Sequence, residues 1–127
     1  MNLTFKTVGI VGAGTMGAGI AQVAAIAGCR VKLYDARDGA AKAALARNAE
    51  TLVTLAGKGK LSADDAKTAS ARMESATDLA DFHDCDLIVE AIIEDLGAKQ
   101  ALFRSLEGIC APTVVLASNT SSTPPAP

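Results

Sequence analysis

Three glycines at fixed spacing and one aspartate carry the first legible chemistry. Gly12-Ala13-Gly14-Thr15-Met16-Gly17 follows the pattern G-x-G-x-x-G. Glycine at the first position allows a tight turn. At the second it lets a phosphate approach the backbone, and at the third it lets a helix sit close to a strand. The first N–H groups of a helix have no partners within it and, with the helix dipole, hold an anion such as a pyrophosphate. Thr15 and Met16 fall where that helix opens. Asp35 lies eighteen residues beyond Gly17, close to the spacing at which an acid receives the hydroxyls of an adenosine ribose. A 2′-phosphate there meets a like charge, which favours NAD over NADP, and Arg37 blurs that preference.

These groups need elements to position them. Residues 7–11 form a Val/Ile-rich run, interrupted by Gly9, that reads as a fully buried strand. Residues 15–27 have the length and alanine content of a helix, with Gly28 as its stop. Residues 30–34 read as a second strand, closed by Asp35. Strand, helix, strand is a crossover unit whose strands lie parallel. Asp38 reads as the N-cap of a helix to about residue 55, with Leu45, Ala49, Leu52 and Ala56 at helical spacing, broken by the glycines and lysines of 57–60. Ser62 caps a second helix over 63–71, with Asp65 three residues on. Together these two helices make an inserted hairpin. A short strand over 73–76 and a helical turn over 77–82 follow. Then come a strand over 86–92, a helix over 96–106 stopped by Gly108, and a strand over 113–117. Leu102, Phe103 and Leu106 share one face of that helix. Apolar strands alternating with helices give an α/β, doubly wound, mainly parallel sheet of the Rossmann type.

Composition sets outer limits. The chain has 127 residues, one domain by length, with half of them apolar and a fifth charged. A net charge of −2 and the absence of Trp argue against a nucleic-acid partner, which calls for a basic stripe and stacked rings. No apolar run approaches the roughly 18 residues of a membrane span. Cys29, Cys85 and Cys110 are scattered, and His83 is the only histidine, so no metal site is expected. The thiols read as small buried apolar side chains in a reducing compartment, which makes the cytoplasm the expected location.

The glycine loop is followed by further segments in a distinctive order. These are Leu-Tyr-Asp at 33–35, Gly-Lys-Leu-Ser at 59–62, Val-Glu-Ala-Ile-Ile-Glu-Asp-Leu at 89–96, Lys99, Leu102-Phe103 and Ala-Ser-Asn-Thr-Ser-Ser at 117–122. In these the chain resembles the 3-hydroxyacyl-CoA dehydrogenases, including 3-hydroxybutyryl-CoA members, over residues 7–122. The resemblance implies oxidation of a 3-hydroxyacyl-CoA to the ketone with hydride passing to NAD. It implies that Glu94 and Lys99 lie near the nicotinamide, that Ser121 bonds the substrate hydroxyl and the nicotinamide end, and that Asn119 shapes that loop. It sets Thr51 and Lys58 where the hairpin contacts CoA, with Lys58 a cationic donor to a phosphate.

The family's His–Glu pair belongs to a stretch beyond the serine loop, and His83 is not its equivalent. The expected organisation is therefore an incomplete dinucleotide-binding domain over 1–122, truncated on its C-terminal side, with a Pro-rich tail over 123–127 and no C-terminal helical domain. Such a chain is expected to bind cofactor without turnover, to expose a sheet edge at its last strand, and to lack contacts that make the full enzyme a homodimer. Three other readings stay open. One is a non-catalytic dinucleotide-binding or sensing module. Another is the dehydrogenase part of a larger β-oxidation protein, and the last is a Rossmann enzyme without CoA, which leaves the hairpin and the 117–122 segment unexplained.

Overall fold

The computed structural model describes residues 6–91, 96–110 and 114–118, with 96–99 and 118 traced by backbone alone. Five strands form one parallel sheet: β1 (Thr7–Val11), β2 (Arg30–Tyr34), β3 (Met73–Ser75), β4 (Leu87–Glu90) and β5 (Val115–Ser118), in the order β3-β2-β1-β4-β5. Four helices join them: α1 (Thr15–Ala27), α2 (Ala40–Gly57), α3 (Ala63–Arg72) and α4 (Leu96–Ile109), with a 3-10 turn over Leu79–Asp84. The α/β doubly wound reading holds, and so does the inserted helical hairpin, which is α2 and α3.

The central strand, β1, is buried along its whole length, as its apolar run requires. Its side chains alternate between two cores. Val8 and Ile10 join the core under α1, α2 and α3, while Val11 joins the one under the 3-10 turn and α4. Gly9 interrupts the run because Phe82 fills the space a side chain would take: a Cβ there would lie 3.0 Å from both the Phe82 ring and Cys85 Sγ. Phe82 in turn meets Tyr34 edge to face, with ring centroids 6.4 Å apart.

Helix α1 is built of small residues, and Ala18, Ala21 and Ala25 are buried against the sheet. Gly28 ends it in the left-handed conformation, φ 110°, as the glycine there predicts. At its start the helix touches the strand that feeds it. A Cβ on Gly17 would lie 1.7 Å from the Gly12 carbonyl oxygen, so only glycine fits.

Three local readings are corrected. Asp38 is not the N-cap of α2. Gly39 takes that place with φ 76° and no side-chain cap, and the helix begins at Ala40. Gly108 does not stop α4, which runs on to Ile109; a glycine costs a helix only about 1 kcal/mol, and Leu106, fully buried, holds this last turn to the core. The buried stripe of α2 carries Asn48 among Ala41, Ala44 and Leu52. Its side-chain amide donates to the Ala18 carbonyl oxygen at 3.0 Å, so a polar residue ties α2 to α1, while of the expected Leu45, Ala49, Leu52 and Ala56 only Leu52 is buried and the others are half-buried. Elsewhere Ser62 caps α3 as expected, accepting from the Asp65 N–H at 3.0 Å.

The opposite face is latched by charge. Lys32, in the middle of β2, donates from Nζ to Asp84 Oδ1 at 2.6 Å and to the Asp81 carbonyl at 2.7 Å. This fastens the 3-10 turn to the sheet. The Lys32 ammonium bonded to Asp84 holds its carboxyl below the usual range. Among the described residues β5 forms one sheet edge, with Val115 exposed.

Two outcomes follow from this packing. Gly17→Ala should lower unfolding free energy by about 3 kcal/mol in urea titration, because backbone rather than a flexible side chain stands in the way. The depressed Asp84 carboxyl adds stability that is present in full above its unfolded value near 4 and is lost as pH falls through its folded value. Asp84→Asn should therefore flatten the loss of stability below about pH 4, read by circular dichroism across an acid series.

Candidate functional site

The carboxyl ends of β1, β2 and β4 lie level, with Val11 in register with Tyr34 on one side and Glu90 on the other. Strand order reverses here, because β1 neighbours both the strand reached through α1 and the strand reached by crossing back from β3. In open α/β sheets this crevice is where ligands bind. A cleft of about 560 Å³ opens at this point. Its floor is Val11, Gly12 and Gly14, one side is Tyr34, Asp35, Ala36 and Arg37, and the other is Leu79, Ala91, Ala101, Leu102 and Ser105.

The glycine loop divides its labour. Gly12 turns the chain with φ 112° and donates its N–H to the Tyr34 carbonyl at 2.7 Å. Gly17 is required by the protein's own backbone. Among the described residues, nothing lies within 4 Å of where a Cβ on Gly14, the N-cap of α1, would stand. No contact among the described residues demands glycine there, which leaves the space beside it open to a ligand. Gly14, Thr15 and Met16 are exposed, while Gly12 and Gly17 are buried. The start of α1 is thus exposed and opens on the cleft at Gly14, while Thr15 and Met16 border an apolar groove on the α1 side of the sheet.

Asp35 stands at the tip of β2, its side chain only 8% exposed. Oδ2 accepts the Ala13 N–H at 2.7 Å, which ties the acid to the glycine loop. Arg37 occupies the rest. Its backbone N–H and its Nε donate to Oδ1 at 2.8 and 3.0 Å, and its Nη2 donates to Oδ2 at 2.9 Å. The Arg37 guanidinium holds the Asp35 carboxyl down at about 2; burial opposes this, and the Ala13 and Arg37 amides add to it. The acid is therefore ionised at any working pH.

Of the expected cofactor residues the structure sets Gly12, Gly14 and Asp35 in one cleft, with Gly17 buried against the Gly12 carbonyl and Thr15 and Met16 on a separate apolar groove beside α1. The sequence reading gave Arg37 only a modifying role and missed its direct fork onto Asp35. It also missed the wall formed by Leu79, Ala91 and Ser105; the ends of strands facing a reversal in strand order are the signal for such residues. Glu90 is fully buried at the tip of β4 and does not line the cleft. Thr51 and Lys58 are exposed and do not line the cleft. The Thr51 hydroxyl donates to the Arg47 carbonyl at 3.0 Å within α2, and Lys58 is the C-cap of α2, about 27 Å along the helix from its start. Glu94, Asn119, Ser121 and the side chain of Lys99 lie outside the described residues. Among the described residues no cluster of three His, Cys, Asp or Glu side chains is placed to hold a metal, and no helix is long and apolar enough to cross a membrane. Cys29 and Cys85 are buried and Cys110 only partly so. Burial pushes the Cys85 thiol up to about 12, which leaves it inert.

Comparison with known proteins agrees with this geometry. Residues 7–126 match the family model described as 3-hydroxyacyl-CoA dehydrogenase, NAD binding domain. A probable 3-hydroxybutyryl-CoA dehydrogenase of Bacillus subtilis is 41% identical over 122 residues, which cover 96% of this chain and 42% of that protein. The 3-hydroxyadipyl-CoA dehydrogenase of Escherichia coli is 39% identical, over 96% of this chain and 26% of that one. The crystal structure of (S)-3-hydroxybutyryl-CoA dehydrogenase from Ralstonia eutropha superposes with a TM-score of 0.86 at 40% identity, covering 93% of this chain and 42% of that chain. The chain spans about two fifths of the length of the first of these relatives. It belongs to the family of 3-hydroxyacyl-CoA dehydrogenase NAD-binding domains, and NAD is the cofactor of that domain.

Proposed function

We propose that the pyrophosphate of NAD rests on the amides at the start of α1, past Gly14, Thr15 and Met16, and that Asp35 receives the adenosine ribose in the adjoining cleft. One observation carries this reading. The Ala13 N–H bond to Asp35 joins an anion seat and a hydroxyl acceptor into one rigid corner, beside a Gly14 that the fold itself leaves open. The apolar side chains of Leu79, Ala101 and Leu102 offer a dry wall to a flat base. When bound, NAD supplies the hydride acceptor for oxidation of a carbinol carbon. The chain's own share is to bind and orient it: amides neutralise the diphosphate, and the ionised Asp35 carboxylate accepts hydrogen bonds donated by the ribose hydroxyls.

For the whole protein the reading is interconversion of 3-hydroxyacyl-CoA and 3-oxoacyl-CoA, supported by the names of the relatives. Glu94, Lys99, Asn119 and Ser121 would act at the nicotinamide end, with Ser121 on the substrate hydroxyl, while Thr51 and Lys58 would meet CoA. The exposed position of both hairpin residues is compatible with a large ligand. The whole protein is proposed to work as a homodimer in the cytoplasm, where its thiols stay reduced. The 127-residue polypeptide itself is proposed to bind NAD without oxidising a hydroxyacyl-CoA. Its single histidine, His83, sits in the 3-10 turn just before β4, away from the carboxyl ends of the strands.

NADH fluorescence tests the cofactor site cleanly, because the chain has no Trp. Gly14→Ala should weaken NADH at least tenfold while costing about 1 kcal/mol of stability or less, the usual loss for alanine at an N-cap. Asp35→Ala should weaken NADH by about 1–3 kcal/mol through lost hydrogen bonds. Unchanged affinity in both variants would sink the reading. Steady NAD reduction by the repurified polypeptide with 3-hydroxybutyryl-CoA would overturn the proposal that it lacks turnover.

A further inference from the structure

Helix α1 carries no charged residue, and its polar side chains are Thr15 and Gln22 alone. A helix that is apolar all round belongs between two packed layers. One layer is in place, since Ala18, Ala21 and Ala25 lie buried on the sheet. On the other side Met16, Ile20, Val23 and Ala27 follow one another at steps of four, three and four residues, which sets them in one stripe. Met16 is 57% and Val23 66% exposed. The stripe borders an apolar groove of about 580 Å³, which Val8 of β1 and Leu87 and Val89 of β4 also line. Val115 of β5, in register with Leu87, carries the same face on to the sheet edge. Strand order explains why the groove is open. Right-handed crossovers put α1 on one face as the strands step from β1 to β2, and α4 on the other as they step the opposite way from β4 to β5. Among the described residues no helix is left to cover the α1 face of β4 and β5.

We propose that this face is a docking surface for a second copy of the 127-residue chain, related by a two-fold axis, with the α1 stripe of each copy laid along the groove of the other. A two-fold contact sets a patch against itself. It therefore needs a ridge and a groove on one surface, and no charge that would meet its own like. Met16 and Val23 supply the ridge, while Gly19 and Ala24 keep the groove's rim low enough for a second helix to approach. Among the described residues no charged side chain lines the groove, so an identical face meets no repulsion, and a charged partner finds no counter-ion. The exposed apolar side chains are also gathered here: Met16, Val23 and Ile26 on α1 and Val115 on β5, against Val53 alone on α2. Scattered apolar residues are ordinary on a surface, whereas a contiguous patch marks an interface. The groove shares no lining residue with the cofactor cleft, so this inference stands apart from the cofactor reading. It also concerns this polypeptide, not the homodimer proposed for the whole protein.

Sedimentation equilibrium of the 127-residue chain tests this. A reversible dimer should form at micromolar concentrations, as suits an interface at the small end of the stable class. Val23→Lys and Val23→Asp should each weaken it about tenfold or more, because either charge would be buried without a partner. Val53→Lys, at a valine just as exposed but on the hairpin, should leave it unchanged. A measurement on the wild type removes any dependence on how the variants fold. The methyl resonances of Met16, Val23 and Val115 should shift with protein concentration while those of Val53 stay still. A monomer at every concentration overturns the second copy as occupant, and leaves the groove to further chain of a longer protein or to a different partner. A dimer that keeps its affinity in both Val23 variants, or weakens equally in Val53→Lys, overturns the choice of face. So do concentration-dependent shifts that spare Met16 and Val23.

Discussion

The site depends on one backbone contact, the approach of α1 to the end of β1 at Gly17 and Gly12. With 1.7 Å between a would-be Cβ and the Gly12 oxygen, the helix can sit this low only because Gly17 has no side chain. That depth brings the unpaired amides of the first turn level with the ends of β1, β2 and β4. It also puts the loop within 2.7 Å of Asp35 through Ala13. A helix set one side chain higher would break that bond, and the acid would face solvent instead of a corner.

The rest of the fold holds the corner still. Small residues on α1 keep the helix flat on the sheet, and Asn48 fixes α2 to it through a single amide bond. On the opposite face Lys32 draws the 3-10 turn against β2. That presses Phe82 under Gly9 and Tyr34, the residue that precedes the acid. Two different devices, close packing of alanines above and a part-buried ion pair below, thus fix the same strand tip from both sides. The amino ends are closed separately, by Asp86 accepting the Lys6 and Thr7 amides.

Much of this was legible in the residues. The apolar runs, Gly28 and Ser62 place β1, α1 and β2 with their observed limits and α3 with its observed start, because each of these boundaries has a local physical cause. Errors fell where tertiary context decides. Asp38 looks like a cap, but Gly39 reaches a left-handed turn at no steric cost. Gly108 looks like a stop, but core contacts of Leu106 outweigh its propensity. Asn48 sits on an apolar face because its amide has a carbonyl to meet, and no periodicity reports that. In the site, the glycines and Asp35 were legible because their spacing is sequential. The wall across the cleft was not, since Leu79, Ala91 and Ser105 come together only through strand order.

Asp35 also shows why a correctly identified acid is not yet a specificity. A carboxylate with free lone pairs would add its full hydrogen-bonding energy to a ribose. This one is already satisfied by two amides and a guanidinium, so a ribose gains only the difference between its hydroxyls and the arginine fork it replaces. That difference is less than the full energy of two new hydrogen bonds, because the hydroxyls take positions the guanidinium already fills. The strongly ionised state of the acid, held at about 2, belongs to the pair and not to the aspartate alone. When the arginine leaves, the carboxylate keeps its charge at neutral pH but loses its nearest cation, and the local potential turns more negative as NAD binds.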